Sequence, residues 1–131
     1  MSTYADFVFD FEKMEVYKIS MEFVKEAFKV YKSLPREFKY SIGDQFVRAS
    51  LSVVNNIAEG SGKTSKKWKA TYYNTALDSA RECVPMITLL LSEEMILREN
   101  HWNLRSKCIH ICNMMGRLIK SLNLEKVSSL S

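Results

Sequence analysis

The stretch GSGKTS at positions 60–65 has the residue types that bind a phosphate, namely glycines followed by a lysine and a hydroxyl side chain. A phosphate-binding loop requires the pattern G-x-x-x-x-G-K-[ST], because the first glycine opens a turn of backbone N–H donors. Counting back from Gly62, that glycine would occupy the position of Ile57, and no strand is predicted before it. The stretch therefore gives little support for an ATPase, which is the least favoured function.

The same stretch is typical of a joint between two helices. We predict that either Gly60 or Gly62 takes the left-handed conformation that ends the first helix. A hydroxyl of Thr64 or Ser65 then caps the next helix.

Other residue patterns that would support catalysis or metal binding are weak. Cys108 and Cys112 lie one helical turn apart, but a structural zinc site needs four ligands, so we expect core thiols. His101 and His110 have no evident serine, cysteine or carboxylate partner for nucleophilic catalysis. The sequence therefore predicts no catalytic residue, metal or cofactor, and no enzymatic activity.

Apolar residues recur every three or four positions in four segments, predicted as helices over residues 12–33, 41–59, 65–94 and 101–122. Pro35 ends the first helix. The fourth helix carries a heptad seam: Leu104, Cys108, Ile111, Met115, Leu118 and Leu122. Such helices favour an all-α, up-down-up-down antiparallel four-helix bundle in one domain, residues 1–131. Residues 1–11 are predicted as an N-terminal arm, and 123–131 as a frayed tail.

The composition predicts a cytoplasmic protein rather than a membrane protein. No segment approaches the ~20 consecutive apolar residues of a membrane span. The chain has three cysteines and begins without the basic and apolar regions of a secretory signal. We expect a cytoplasmic protein with reduced thiols and no membrane partner.

The net charge of +4 is unevenly placed, and two groups of basic residues stand out. One group crowds the start of the third helix: Lys63, Lys66, Lys67 and Lys69. The other lies on the fourth helix: Arg105, Lys107, Arg117 and Lys120, with His110 among them. Each group is either a nucleic-acid-binding surface or a solvated face that keeps the protein soluble. Trp68, in the first group, continues an apolar row and is expected in the core.

The second predicted helix also carries a polar stripe, and here the sequence resembles a known family. The segments QFVRASLSVVNNIAEGSGKTSKKW (45–68) and ALDSARE (76–82) resemble the four-helix-bundle family encoded within 23S ribosomal RNA intervening sequences. They also resemble the related accessory variability determinant of diversity-generating retroelements. The matching motif residues are Gln45, Arg48, Ala49, Ser52, Asn56, Ile57, Ala58, Glu59, Gly60, Gly62, Lys63, Ser65, Ala76, Ser79 and Glu82. Asp78 departs from the pattern, since the family has a glycine there.

The resemblance implies a homopentamer of four-helix bundles that binds nucleic acid, RNA above all, through basic surface residues. In the retroelement relatives the partner is a reverse transcriptase with its RNA. The alternative is a structural or protein-partner scaffold whose lysines only solvate the surface. We also hypothesise that Arg48 pairs with Asp78 across a helical hairpin, with Gln45 and Glu82 joining the network.

Overall fold

The computed structural model describes residues 4–122, and four long helices make up most of this part of the chain. Their bounds are α1, Glu15–Ser33; α2, Asp44–Ser61; α3, Lys66–Ser92; and α4, Arg98–Lys120. No strand occurs within residues 4–122, so the predicted all-α class is confirmed. The predicted tail, residues 123–131, lies outside the described residues.

The connection between α1 and α2 differs from the prediction. α1 ends just before Pro35, as expected, because proline cannot continue the backbone hydrogen-bond ladder. A short helical turn, Arg36–Phe38, and a π-helical turn, Lys39–Gly43, then delay the start of α2. Gly43 closes the π turn against α1, since a Cβ there would lie 2.9 Å from Leu34 Cδ1. Residues 41–43, which were predicted to begin the second helix, therefore belong to this tightly packed connection.

The core lies between the four helices. Each helix packs against the next in sequence, and α4 packs back onto α1. The Phe23 and Phe46 rings join α1 to α2, edge to face, with centroids 5.9 Å apart. The first four seam residues of α4 are at most 1% exposed, which confirms that part of the predicted seam: Leu104, Cys108, Ile111 and Met115.

Contacts between α2 and α3 pair residues at similar distances from the joint between them. Gly60 lies against Tyr73 near the joint, and the Oγ atoms of Ser52 and Ser79 are 2.8 Å apart further along. Farther still, Gln45 and Met86 line the same groove. The two helices therefore face each other along most of the length of α2.

The segment before α1 is aromatic and largely exposed. The Phe7 and Phe9 rings meet edge to face at 5.1 Å, and Phe9 stacks on Phe11 at 5.5 Å. Phe11 in turn contacts Tyr17 of α1 at 5.1 Å. Through Phe11, the predicted N-terminal arm packs on α1 of its own chain.

The joint between α3 and α4 does not pack tightly against α1. Glu94 adopts a left-handed conformation with φ of 58°, and the Leu97 N–H donates to Asn100 Oδ1 at 3.1 Å. A cavity of 520 Å³ separates this joint from α1 and is lined in part by Val30, Met95 and Leu104.

Candidate nucleic-acid interface

The α2–α3 joint is formed without a left-handed glycine, so the predicted role of Gly60 or Gly62 in ending α2 is wrong. Gly62 has φ of −84° and ψ of −5°, and no glycine within residues 4–122 has a positive φ. The Gly62 N–H donates to the Glu59 carbonyl at 3.2 Å, and the Lys63 N–H donates to the Gly60 carbonyl at 3.2 Å. α2 therefore ends in a right-handed turn that any residue type can adopt.

Gly60 is needed for space rather than for its backbone conformation. It is buried, and a Cβ at this position would lie 2.6 Å from Tyr73 Cε1 and 2.8 Å from Tyr73 Cδ1. Tyr73 is itself buried, and this burial raises the pKa of its hydroxyl. The motif glycine thus lets α3 approach the end of α2 closely.

A hydrogen bond between two other motif residues joins α2 to α3, and a third motif residue supports it from within α2. The Ser52 and Ser79 hydroxyls are 2.8 Å apart, across the interface between the helices. Asn56 Nδ2 donates to the Ser52 carbonyl at 2.8 Å and to Ser52 Oγ at 3.1 Å. Because these polar groups satisfy one another in a partly buried place, they specify how the two helices align.

The predicted pair of Arg48 with Asp78 is wrong. Arg48 instead lies 3.8 Å from Asp44, one turn earlier on the same helix, and its side chain is 81% exposed. Asp78 is also exposed on α3. The arginine side chain is long enough to reach a carboxylate on its own helix. Equal distance from the joint between α2 and α3 therefore does not force Arg48 to pair with Asp78. The other exposed motif residues are Gln45, Glu59, Gly62, Ser65 and Glu82, whereas Ala49, Ile57 and Ala76 are buried.

Two of the four lysines near the joint make contacts within the fold. Lys69 Nζ donates to the carbonyls of Ser61 at 2.9 Å and Gly60 at 3.3 Å, and so caps the end of α2. Lys63 Nζ lies 3.5 Å from a carboxylate oxygen of Glu59. These lysines stabilise the joint as well as adding charge to it.

The other two lysines, Lys66 and Lys67, are exposed in the first turn of α3. Ser65 caps this turn as predicted, because its Oγ accepts a hydrogen bond from the Trp68 N–H at 3.0 Å. The first turn contains no acidic residue. The structure therefore presents two ammonium groups to solvent on a turn whose backbone is fixed.

Trp68 does not lie in the core, which corrects the sequence-based prediction. Its side chain is 58% exposed, and Lys63 Nζ lies 5.3 Å from its ring centroid. The buried row of α3 begins at Ala70 and Tyr73, and Tyr73 already faces the end of α2 at Gly60. Trp68 lies more than a turn before Tyr73, where α2 no longer covers α3.

The basic residues of α4 are also divided between internal and exposed positions. Lys107 Nζ donates to Glu26 Oε1 of α1 at 2.7 Å, and only about a quarter of each side chain is exposed (26% and 27%). Arg105, Arg117 and Lys120 are exposed. Arg117 and Lys120 lie in the last turn of α4, where positive charge stabilises the helix dipole.

Comparisons with known proteins identify the family. The model of the family described as 23S rRNA-intervening sequence protein matches residues 12–117. The chain belongs to this family. It is also similar to a crystal structure of a protein of unknown function from the S23 ribosomal protein family of Bacteroides thetaiotaomicron VPI-5482. The two are 26% identical with a TM-score of 0.75, over 80% of this chain and 98% of that one. No curated protein matches the chain.

Family membership and the geometry together divide the motif residues by role. The family match spans both the α2–α3 interface and the exposed first turn of α3. Within it, Ser52, Gly60 and Ser79 pack or hydrogen-bond between helices, and Asn56 hydrogen-bonds to Ser52 within α2. The sequence pattern did not separate these from the exposed members.

Of the two cysteines expected in the core, Cys108 is buried and Cys112 is half-buried; Cys83 is buried as well. Cys83 and Cys108 are buried, and their Sγ atoms donate to the carbonyls of Ser79 and Ala80, each at 3.4 Å. A hydrogen bond with Cys108 and burial raise the pKa of the Cys83 thiol. Burial and the nearby Cys108 also raise the pKa of the half-buried Cys112 thiol. Within residues 4–122, no three His, Cys, Asp or Glu side chains lie close enough to hold a metal ion.

The four helices also differ from membrane-spanning segments. Across residues 4–122, none is both long and apolar enough to cross a bilayer.

Proposed function

We propose that this family member is a non-enzymatic, oligomeric nucleic-acid-binding protein of the cytoplasm, with RNA as its ligand. The observation that carries the proposal is the pair of exposed lysines, Lys66 and Lys67, on the capped first turn of α3. Lysine ammonium groups bind phosphate oxygens, and phosphate contacts supply most of the affinity for nucleic acid.

The position of these lysines is unfavourable for the fold itself. A positive charge in the first turn of a helix opposes the helix dipole, by about 0.3–1 kcal/mol for each charge. No acidic residue in that turn compensates, and Glu59 is already engaged with Lys63. Stability therefore gives no reason for Lys66 and Lys67, whereas binding of an anionic ligand does.

Oligomerisation would multiply this small surface. The resemblance implies a homopentamer, and we propose that each subunit is an up-down-up-down antiparallel bundle within it. Exposed apolar side chains support self-association, among them Leu89 (49% exposed) and Ile109 (50% exposed). A groove of 620 Å³ between α3 and α4 is lined by Leu77, Val84 and Ile109. Several copies of a weak patch bind one RNA by avidity.

The exposed basic residues of α4 extend the proposed surface. Arg117 and Lys120 lie at the C-terminal end of α4, and Arg105 lies nearer its start. We assign these three residues a smaller contribution to RNA binding. Arg117 and Lys120 also stabilise the C-terminal end of α4, and Arg105 lies apart from them. Lys107, Lys63 and Lys69 contribute less to binding, since each has a partner within the fold.

The exposed apolar side chains also favour a second candidate function, a scaffold that binds other proteins and no nucleic acid. A reverse transcriptase is the partner that the retroelement resemblance implies for either function. The two functions differ in their dependence on salt, because phosphate binding releases counterions and apolar contacts do not.

The test is a titration of the protein into a labelled RNA that contains both a stem and a loop, at low and at moderate salt. Light scattering on the same samples gives the mass of the oligomer. We expect an oligomer that binds RNA and loses affinity as salt rises. The Lys66→Gln, Lys67→Gln double variant should bind more weakly with an unchanged mass.

The matched control is Lys18→Gln, Lys25→Gln, which removes the same charge from two exposed positions on α1. The control should bind as the unmodified protein does. An oligomer that does not bind RNA would support the scaffold, and equal losses in both variants would reduce the proposed surface to a general charge effect. A monomer would contradict the proposed assembly.

A further inference from the structure

Both tryptophans of the chain are exposed, Trp68 by 58% and Trp102 by 66%. A large aromatic side chain in solvent forgoes the stabilisation that burial would give it. Exposed aromatic residues among polar and charged ones mark surfaces that bind something. The two tryptophans differ in their surroundings, and the difference indicates a ligand for one of them.

The Trp68 ring is held in place by the joint. Its backbone N–H is bonded to Ser65 Oγ at 3.0 Å, so its position on the first turn of α3 is fixed. Lys63 Nζ lies 5.3 Å from the Trp68 ring centroid and 5.1 Å from that of Tyr72. One ammonium group therefore contacts two neighbouring aromatic rings, and such cation–π contacts orient them. A lysine covers one face of the indole at most, and more than half of the side chain is still exposed.

The net charge around Trp68 is positive, because the Glu59 carboxylate offsets Lys63 but not Lys66 and Lys67. Lys66 and Lys67 immediately precede it and are exposed, and the first turn of α3 has no acidic residue. An aromatic ring beside ammonium groups is the arrangement by which proteins bind single strands, since the ring stacks on a base while the cations contact phosphates. A duplex offers the phosphates but keeps its bases stacked inside, so an exposed ring gains little from it.

We propose that Trp68 is a stacking platform for an unpaired base, so that the nucleic-acid site prefers single-stranded segments to duplex. Lys66 and Lys67 contact the phosphates beside that base, and Lys63 holds the indole ring in orientation. This inference rests on the proposed function and adds the class of nucleic acid that the surface binds.

Trp102 is the matched comparison within the same chain. It lies in the first turns of α4, in a groove with Leu91, Arg98 and Arg105. Glu99 is in the same first turn, and among residues 4–122 no lysine or arginine lies over the Trp102 ring. Trp102 is therefore exposed and has arginines nearby. Among residues 4–122, however, it lacks what Trp68 has, namely a lysine over the indole ring that also contacts a second aromatic ring.

Intrinsic fluorescence tests the proposal, because a base that stacks on an indole quenches its emission. Trp102→Phe leaves Trp68 as the only tryptophan, and Trp68→Phe leaves only Trp102. Each variant is titrated with a short single-stranded RNA, the DNA of the same sequence, and the matching duplex. We expect saturable quenching of Trp68 by both single strands, weaker quenching by the duplex, and little change at Trp102. A difference between RNA and DNA would show which of the two is preferred.

Affinity measured with labelled oligonucleotides is the second readout. Trp68→Ala should weaken single-strand binding by about 5-fold to 150-fold, the range for loss of one base–aromatic stack, and leave duplex binding nearly unchanged. Trp68→Phe should retain much of the affinity, since it keeps an aromatic face. Light scattering and circular dichroism establish that each variant keeps its mass and helix content.

The outcomes separate this inference from the proposed function. RNA binding that depends on salt and on Lys66 and Lys67, with no quenching at Trp68 and full affinity in Trp68→Ala, would overturn the stacking site alone. Quenching confined to Trp102 would also overturn it. A change of oligomer mass in Trp68→Ala would place Trp68 at an interface between copies instead. No binding by any nucleic acid would overturn both proposals.

Discussion

At the α2–α3 joint, Lys69 donates to the last carbonyls of α2 and Ser65 caps α3, whereas at the α3–α4 joint Glu94 takes a left-handed φ of 58° beside a 520 Å³ cavity. At the first joint, side chains hydrogen-bond to the free backbone groups of both helices. At the second joint, a glutamate has a left-handed backbone conformation that glycine would adopt without strain. The family motif residues lie on α2, at the first joint and on α3. The difference indicates that the motif mainly specifies the α2–α3 pair, and that binding falls to the exposed side chains beside it.

The largest effect on stability is expected at Gly60. A Cβ in Gly60→Ala would meet the Tyr73 ring at 2.6 Å and 2.8 Å, and Tyr73 is buried and cannot move away freely. We expect the free energy of unfolding to fall by about 1–3 kcal/mol, the usual cost of overpacking a core. Urea denaturation at a fixed protein concentration measures it.

Gly116→Ala is the matched control for this variant. Gly116 lies within α4, and a Cβ there would meet nothing within 4 Å. Alanine should therefore stabilise α4 by about 0.5–1 kcal/mol through its higher helix propensity. If both variants were stabilised equally, close packing would not explain the glycine of the motif.

A smaller effect is expected from the serine pair between α2 and α3. Ser52→Ala and Ser79→Ala each remove one partner of the 2.8 Å hydrogen bond, while the double variant removes both. We expect a coupling of about 1 kcal/mol in a double-mutant cycle measured by denaturation. Additive single effects would show that the two hydroxyls do not depend on each other, and the alignment of α2 on α3 would rest on apolar packing alone.

The smallest effect should be a stabilisation at the second joint. Glu94→Gly relieves the left-handed backbone of a non-glycine residue, which costs about 1–2 kcal/mol, and part of this gain is lost to the greater freedom of glycine in the unfolded chain. We expect a net gain of about 0.5–1 kcal/mol. Thermal and urea denaturation measure this gain.

The neighbouring Glu93→Gly serves as the control for Glu94. Glu93 has φ of −90°, which any residue adopts, so glycine there brings only the entropic loss. This variant should lose about 0.4–1 kcal/mol. A loss of stability in both variants would mean that the second joint is not strained at Glu94.

Sequence spacing predicted the helices well because burial follows helical period. Pro35 ended α1, and Leu104, Cys108, Ile111 and Met115 proved buried along one seam. The start of α2 was displaced because the chain before it is held tightly against α1 at Gly43. Local patterns specify which side of a helix is apolar, but they do not specify how a connection packs.

The site was predictable only in part, for a related reason. Trp68 continues an apolar row, but the row lies in the core only where α2 covers α3, and α2 ends too early to reach it. The role of Gly60 depends on a ring that is distant in sequence, Tyr73. The sequence predicts the lysines as one cluster, but it does not distinguish Lys69, which caps α2 in the folded chain, from the exposed Lys66 and Lys67.

The measurement that tests the account most directly is the salt dependence of RNA affinity in the Lys66→Gln, Lys67→Gln variant against the unmodified protein. If both lysines neutralise phosphates of a single strand, the slope of log affinity against log salt should become shallower by about 0.7 for each lost contact, or about 1.4 per engaged subunit. An unchanged slope, with affinity equal to that of the Lys18→Gln, Lys25→Gln control, would contradict the assignment of the α2–α3 joint as the nucleic-acid interface.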